Sequence, residues 1–340
     1  MVPQMKHTVR WLASCALIVA PIITCMAVSH QTHAQETNAA AKASLDAFPD
    51  EISPSHVYAR LELLDRCLDK LVATRNTAMP ESPLPIETQL GPHHVYQMVL
   101  ACTNRVQQLD DQTGVLAVPT LSARPTIYAP RDVRFVVDLM LDSVQRIART
   151  LEVEDLPADE HPVSGKTPTD VFALATTVFV KLNKLCGIDE ISPSEVYAEM
   201  VRGTEDVRSI LRQADPESRY RVDAPPSEDG LEPSDVFKKC LEIRHLLNTH
   251  RRALGKPAVP VPDAPLDQQI RPRDVFVQSQ IIIADLNFLK LHTNTVSSTP
   301  LAVPVRGAKV PSDVHQQASM VEYLLRQVNT GAETVLEAKK

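Results

Sequence analysis

Glycine is scarce in this chain, at 9 of 340 residues, aromatic residues make up only 4%, and there is one tryptophan. Few glycines among many leucines and valines fit a helical protein, and the 27 prolines must then lie between helices rather than inside them. Basic charge is also short. With a formal net charge of −7 and a pI near 5.9, the chain lacks the positive patch that a nucleic-acid surface needs. There is no Cys-x-x-Cys, which leaves zinc and thiol-redox motifs unsupported. No two histidines stand at i, i+4, the spacing that puts two metal ligands on one helix face. A Gly-rich phosphate loop, a Gly-x-Ser-x-Gly elbow and a His-Glu-x-x-His motif are all missing, so neither a catalytic function nor a cofactor is expected.

What is present begins with a leader. Lys6 and Arg10 precede a mostly apolar run from Trp11 to Val28, and Thr32-His33-Ala34 offers a small-residue cleavage site before Gln35. Residues 1–34 therefore read as a secretory signal, with Val28-Ser29 as a second cleavage zone. Two alternatives compete: residues 11–28 retained as a membrane anchor, and Ile22-Ile23-Thr24-Cys25 as a loose lipoprotein box. No later stretch is long and apolar enough to cross a bilayer. The expected location is the periplasm, with extracellular or envelope-anchored placement as the alternatives, and membrane contact only through an uncleaved leader or a lipid.

The rest of the chain is built on one element, Pro-x-x-Val, usually followed by Tyr or Phe. Its valines are Val57, Val95, Val133, Val171, Val196, Val236, Val275 and Val314, spaced 38, 38, 38, 25, 40, 39 and 39 residues apart. Proline suits the first position of a helix, where its missing N–H has no intrahelical role. Ser53, Thr167 and Ser192 precede it as N-caps, and an acid follows two residues after it in six copies (Asp132, Asp170, Glu195, Asp235, Asp274, Asp313). Counting 0, +4, +7, +11 and +14 from each valine, 37 of 40 positions are apolar; the exceptions are Ser279, Gly203 and His250. That period of 3.5 residues is the seam of packed helices, and the period of two that a strand requires is absent.

The second half echoes the first. Residues 50–59 and 189–198 agree at nine of ten positions, and corresponding prolines are offset by 139 to 143 residues. The expected fold is all-α: an eight-helix repeat protein, most simply two tandem four-helix bundles with long Pro-rich linkers, with one continuous eight-helix domain as the alternative. The boundaries are a tail at 35–48, a first unit at 49–187, a second at 188–332 and a tail at 333–340. A helix of about 20 residues is ~30 Å long. The ~17-residue linker after the first helix reaches ~50 Å when extended, so neighbouring helices can be parallel or antiparallel. Only six residues separate Cys186 from Pro193, a reach of ~20 Å, which predicts an antiparallel hairpin of helices four and five with Gly187 as its cap. Apolar residues in the linkers (Leu84, Ile86, Val118, Val261) predict that these are ordered.

The candidate binding residues are the aromatics after the valines: Tyr58, Tyr96, Phe172, Tyr197, Phe237 and Phe276. Either they ring a pocket at one bundle end, or, more simply, they pack over the base of the seam, one per helix. The acids are explained by capping. His56 and the pair His93-His94 lie in first turns, read as solvated helix starts, with a surface metal site only if the first two helices are parallel neighbours. His250, followed by Arg251-Arg252, reads as a frayed last turn. Arg251-Arg252 and the cluster Asp155, Asp159, Glu160 read as solvated surface. Cys67 and Cys102 fall at similar heights on adjacent helices, where a disulfide is geometrically conceivable in an oxidising compartment. The expected function is a binding or scaffolding role with a protein partner. The alternative is a small-ligand carrier, in which Ser279, Gly203, Ala175 and Ala318 leave an apolar cavity inside a bundle.

Overall fold

The computed structural model describes residues 52–75, 84–85, 89–216, 225–265, 268–298 and 302–328. The expected leader at 1–34, the expected tails at 35–48 and 333–340, and Ile86 in the first linker lie outside them. The described residues hold eight helices and no β-strand: α1 Pro54–Thr74, α2 Pro92–Thr113, α3 Pro130–Thr150, α4 Pro168–Leu185, α5 Pro193–Ala214, α6 Pro233–Ala253, α7 Pro272–His292 and α8 Pro311–Leu325.

Each helix starts at the proline of the recurring element, and each start is closed in the same way. The side chain two residues after the proline accepts a hydrogen bond from the backbone N–H just before the proline. Asp132 does this for Ala129 at 2.6 Å, Asp170 for Thr167 at 2.7 Å and Asp274 for Arg271 at 2.8 Å. Glu195, Asp235 and Asp313 do it at 3.0 Å. In α1 and α2 a histidine ring replaces the carboxylate: Ser53 N–H donates to His56 Nδ1 at 3.1 Å, and Gly91 N–H to His94 Nδ1 at 2.9 Å. A neutral imidazole nitrogen is an acceptor like a carboxylate oxygen, so the capping chemistry survives the change of residue type.

All forty seam positions are buried, the three non-apolar ones included. Burying this much apolar surface, at roughly 25 cal/mol per Å², is the main force holding the helices together. Helix contacts group into two four-helix bundles, α1–α4 and α5–α8. In the first, α1 and α2 each pack against both α3 and α4; in the second, α5 and α6 each pack against both α7 and α8. The pairs α1/α2 and α3/α4, and likewise α5/α6 and α7/α8, therefore lie on the diagonals. Within each bundle all four helices point the same way. Pro54, Val57, Pro92, Val95, Pro130, Val133, Pro168 and Val171 close around one shallow apolar depression, and the eight counterparts from α5 to α8 around another. The described linker 114–129 and residues 254–265 therefore run back along their bundles. Val118 and Val259, buried in the second linker of either bundle, are tied down by Gln107 Nε2 to Val118 O at 3.0 Å and Asn248 Nδ2 to Val259 O at 2.6 Å.

The bundles themselves run in opposite directions. His94 near the start of α2 meets Asp285 late in α7, Gln97 meets Gln280, and Arg105 far along α2 meets Glu195 at the start of α5. The positive ends of four parallel helix dipoles thus lie beside the negative ends of four others, which offsets the repulsion inside each bundle. The short connection after α4 does reverse the chain: Gly187 takes φ 78°, with its N–H bonded to Lys184 O at 3.1 Å and Ile188 N–H to Asn183 O at 2.9 Å. The expected α4–α5 hairpin is nonetheless replaced. Those two helices are not a packed pair, and the bundles join through α2 and α7.

The diagonal arrangement also separates Cys67 from Cys102. All four described cysteines are free and buried, with Cys67 Sγ 3.6 Å from Pro157 O and Cys102 Sγ 3.4 Å from Ala175 O.

Candidate binding site at the junction of the bundles

Helix α7 is central. Its stripe of Val275, Ser279, Ile282, Leu286 and Leu289 faces its own bundle, yet Gln278, Gln280, Asp285 and Asn287 are buried as well. For Gln280 and Asp285 the reason is α2, which covers the far side, whereas Gln278 accepts from Arg244 Nη1 of α6 at 2.8 Å. Asp285 Oδ1 gathers three cationic or polar partners: His94 Nε2 at 3.1 Å and His93 Nε2 at 3.6 Å from α2, and Arg251 Nη1 at 3.2 Å from α6. The Arg251 guanidinium lies 3.9 Å above the Phe288 ring, and His93 stacks on the same ring at 5.3 Å. Next along the seam, Gln97 Nε2 donates to Gln280 Oε1 at 2.8 Å. Arg202 spans Gln97 Oε1 at 3.2 Å and Glu199 Oε2 at 3.3 Å.

The cap on α2 fixes the protons. Because Gly91 N–H points at Nδ1 of His94, the ring's own hydrogen sits on Nε2 and is donated to Asp285. Burial pushes the His94 pKa down to about 4, helped by His93 and only partly opposed by Asp285. Burial alone would raise Asp285, but His94, His93 and Arg251 outweigh it and hold the carboxyl well below the usual carboxylate range. The cluster is thus an Asp285–Arg251 ion pair with the neutral His94 ring donating to it.

His93, His94 and Asp285 have ligand atoms within 4.8 Å of one another, the one group of its kind among the described residues. A cation there would need the Nε2 lone pairs of both rings. His94 Nε2 carries its proton, and His93 Nε2 faces Arg251 Nη2 at 3.4 Å. Arg251 already supplies the positive charge, so these groups hold the bundles together better than they would hold a metal.

Several surface assignments are overturned by this junction. His94 is fully buried rather than a solvated helix start, and α1 and α2 are parallel but diagonal, so His56 is not part of the cluster. Arg251 is buried against Asp285. His250 is buried too, its Nε2 3.0 Å from Leu325 O at the end of α8, not in a frayed turn. Glu160 receives Arg60 at 3.2 Å and Arg134 at 3.0 Å, which pins the third linker to α1 and α3.

Beside the α2–α7 seam lies a cleft of about 370 Å³, floored by Ala101 of α2 and Ala198 of α5 and walled by Phe179, Phe276, Pro304 and Val305. Its polar lining includes Arg105, Glu195, Glu199 and Asn104. Phe179 and Phe276 stack at 4.9 Å, one from each bundle, with Arg105 5.5 Å from the Phe179 centroid.

No protein-family model, no curated protein and no solved structure matches this chain.

The six aromatics of the recurring element are not brought together. Phe172, Phe237 and Phe276 are buried, while Tyr58, Tyr96 and Tyr197 pack at the core edge. The depressions at the bundle ends are lined by proline and valine instead. Tyr58 lies under Lys166 Nζ at 4.3 Å, Tyr197 under Lys309 Nζ at 4.7 Å, and Tyr96 stacks on Tyr128 at 3.9 Å. Of the six, Phe276 alone lines the junction cleft. Glu195 is the recurring acid at the start of α5; the cleft's other residues carried no periodic signal, being off-seam positions on α2, α4 and α5 and in one linker.

Proposed function

We propose that this is an exported, non-catalytic binding protein whose two four-helix bundles are locked into one body and hold a ligand at their junction. The observation that carries this reading is the cleft of about 370 Å³, within the range of small-molecule sites and lined mainly by apolar groups with a few convergent polar ones. In its lining Arg105 and Glu195 are committed to one another, which suits a fixed recognition surface better than proton transfer. The reading of residues 1–34 as a leader, from Lys6, Arg10 and the apolar run that follows, supports export. A carrier with its ligand inside a bundle has less support. Around Gly203, Ile283 Cδ1, Leu286 Cδ1 and Val321 Cγ2 stand 3.4 to 3.6 Å from where a Cβ would be, so the small residue is matched by close neighbours rather than by a void.

The test is native mass spectrometry on protein purified from its own host. A bound small molecule is expected, together with a mature N-terminus at Gln35. Ala198→Trp, which fills the cleft floor, should remove the bound mass. Retention of the same mass in the folded Ala198→Trp protein would place the ligand elsewhere and refute the junction site.

A further inference from the structure

We infer that the junction cleft selects a small primary ammonium carried on a short apolar body; this rests on the binding role proposed above and adds the ligand's chemistry. The decisive group is Glu199. It is 6% exposed, yet its one hydrogen bond among the described residues is from Arg202 Nη1 to Oε2 at 3.3 Å. Arg202 divides its guanidinium between Glu199 and Gln97 Oε1, so the carboxylate receives a single long contact. A buried carboxylate is normally compensated by two or more short donors, and Glu199 has one, at 3.3 Å. Glu199 is also part of the cleft lining, so an N–H donor inside the cleft is placed to supply what Arg202 does not.

The remaining lining decides charge and shape. Glu195 is fully engaged, one oxygen by Arg105 and the other by the cap at Ser192. Arg105 spends its donors on Asn183, Gln108 and Glu195, which leaves an anionic ligand little to bind. Arg105 is spent on Glu195, and the only cation on Glu199 is Arg202 through one long contact, so Glu199 is the lining carboxylate with room for a further donor. Asn104 adds a carboxamide able to accept a second ammonium hydrogen. The methyl groups of Ala101 and Ala198, with Pro304 and Val305, form the surface for the apolar body.

The experiment is isothermal titration calorimetry of the whole exported chain with three probes of equal length: n-pentylammonium, 1-pentanol and pentanoate. Pentylammonium is expected to bind at least tenfold more tightly than either analogue. Glu199→Gln, which keeps the shape and removes the charge, should weaken it at least tenfold while helicity by circular dichroism is unchanged. Ala198→Trp should abolish binding of every probe. Equal or tighter binding of pentanol or pentanoate, insensitive to Glu199→Gln but lost in Ala198→Trp, overturns the ammonium assignment and leaves the junction site standing. Absence of heat for all three probes at millimolar concentration overturns the ammonium assignment; if no molecule co-purifies from the host either, the junction reading fails with it.

Discussion

His94 sets how the structure responds to acid. In the unfolded chain its imidazole takes up a proton near pH 6.5, whereas in the fold burial lowers that pKa to about 4. A histidine depressed in this way adds stability that is fully present above pH 6.5 and drains away as the pH falls toward 4, because between those values only the unfolded chain binds the proton. Each pKa step of one is about 1.4 kcal/mol. The loss attributable to His94 is then about 2 kcal/mol at pH 5 and about 3 kcal/mol at pH 4, relative to pH 7.5. Because the ring is fully buried, solvent screening does not dilute this figure. Asp285 adds to the effect only at lower pH: its carboxyl is held below the ordinary range, so its contribution is present above pH 3.8 and lost beneath it. The assay is denaturant unfolding of the parent and His94→Gln at pH 7.5, 6, 5 and 4. Glutamine keeps an N–H for Asp285 and does not titrate. His250 is depressed as well, but it is common to both proteins and cancels in the difference. The gap between parent and variant should shrink by about 2 kcal/mol from pH 7.5 to pH 5. Curves that stay parallel across the range would refute the assignment of His94 as a neutral ring donating to Asp285.

Three further outcomes follow from the same coordinates. Arg251→Met leaves Asp285 buried without its cation and should cost about 3–5 kcal/mol in thermal or denaturant unfolding, more than Arg252→Met on the exposed side of the same turn. Gly203→Ala should stabilise by about 0.5–1 kcal/mol, since it removes a mid-helix glycine and its new methyl meets neighbours at ordinary contact distance, while Gly203→Leu should destabilise through overpacking. The four described thiols are buried and shifted upward by burial, Cys186 to about 11 and Cys240 to about 12. In a chain that starts at Gln35, an aromatic disulfide reagent should therefore leave the folded protein unlabelled at pH 8 and label all four after unfolding. Prompt labelling of the native protein would contradict the packing described.

What was legible in the sequence is what repeats. The valine period marks which face of each helix is inward, and every one of those forty positions is inward. Capping chemistry marks where the helices begin, because proline needs no partner at the first helical position and the acceptor two residues on takes the backbone N–H just before it. The junction was not legible, and the reason is physical. A residue facing a second bundle is as polar as one facing water when its partner is also polar, so Gln97, Arg251 and Asp285 resemble surface residues until both helices are in view. One trace existed: Ile281 and Ile283 put apolar bulk off the seam of α7, more than a helix with one wet face requires. His94 was masked by residue type, since a histidine at the acid's position looks like an exception and acts as a cap. The ordering of helices was hidden because linkers long enough to return permit both directions, and nothing in a 3.5-residue period distinguishes a neighbour from a diagonal.

The parallel arrangement makes the linkers structural members of defined length, and this too is open to test. After α2 the chain must travel from Thr113 back to Pro130, the full length of α3, whose 21 residues span ~32 Å. The 16 intervening residues reach ~53 Å when extended, so there is slack enough for Val118 and Ala123 to dip into the core. Deleting residues 119–126 leaves eight, with a reach of ~26 Å, shorter than the helix they must pass. Replacing the same eight with glycine and serine removes the contacts but keeps the reach. The replaced protein should therefore retain its helicity and a single, lowered unfolding transition, and the deleted one should lose the first bundle or reverse α3, detected as loss of the Tyr96–Tyr128 stacking at 3.9 Å. If both versions behave alike, the linker contributes only its contacts, and the case for four helices pointing the same way is lost with it.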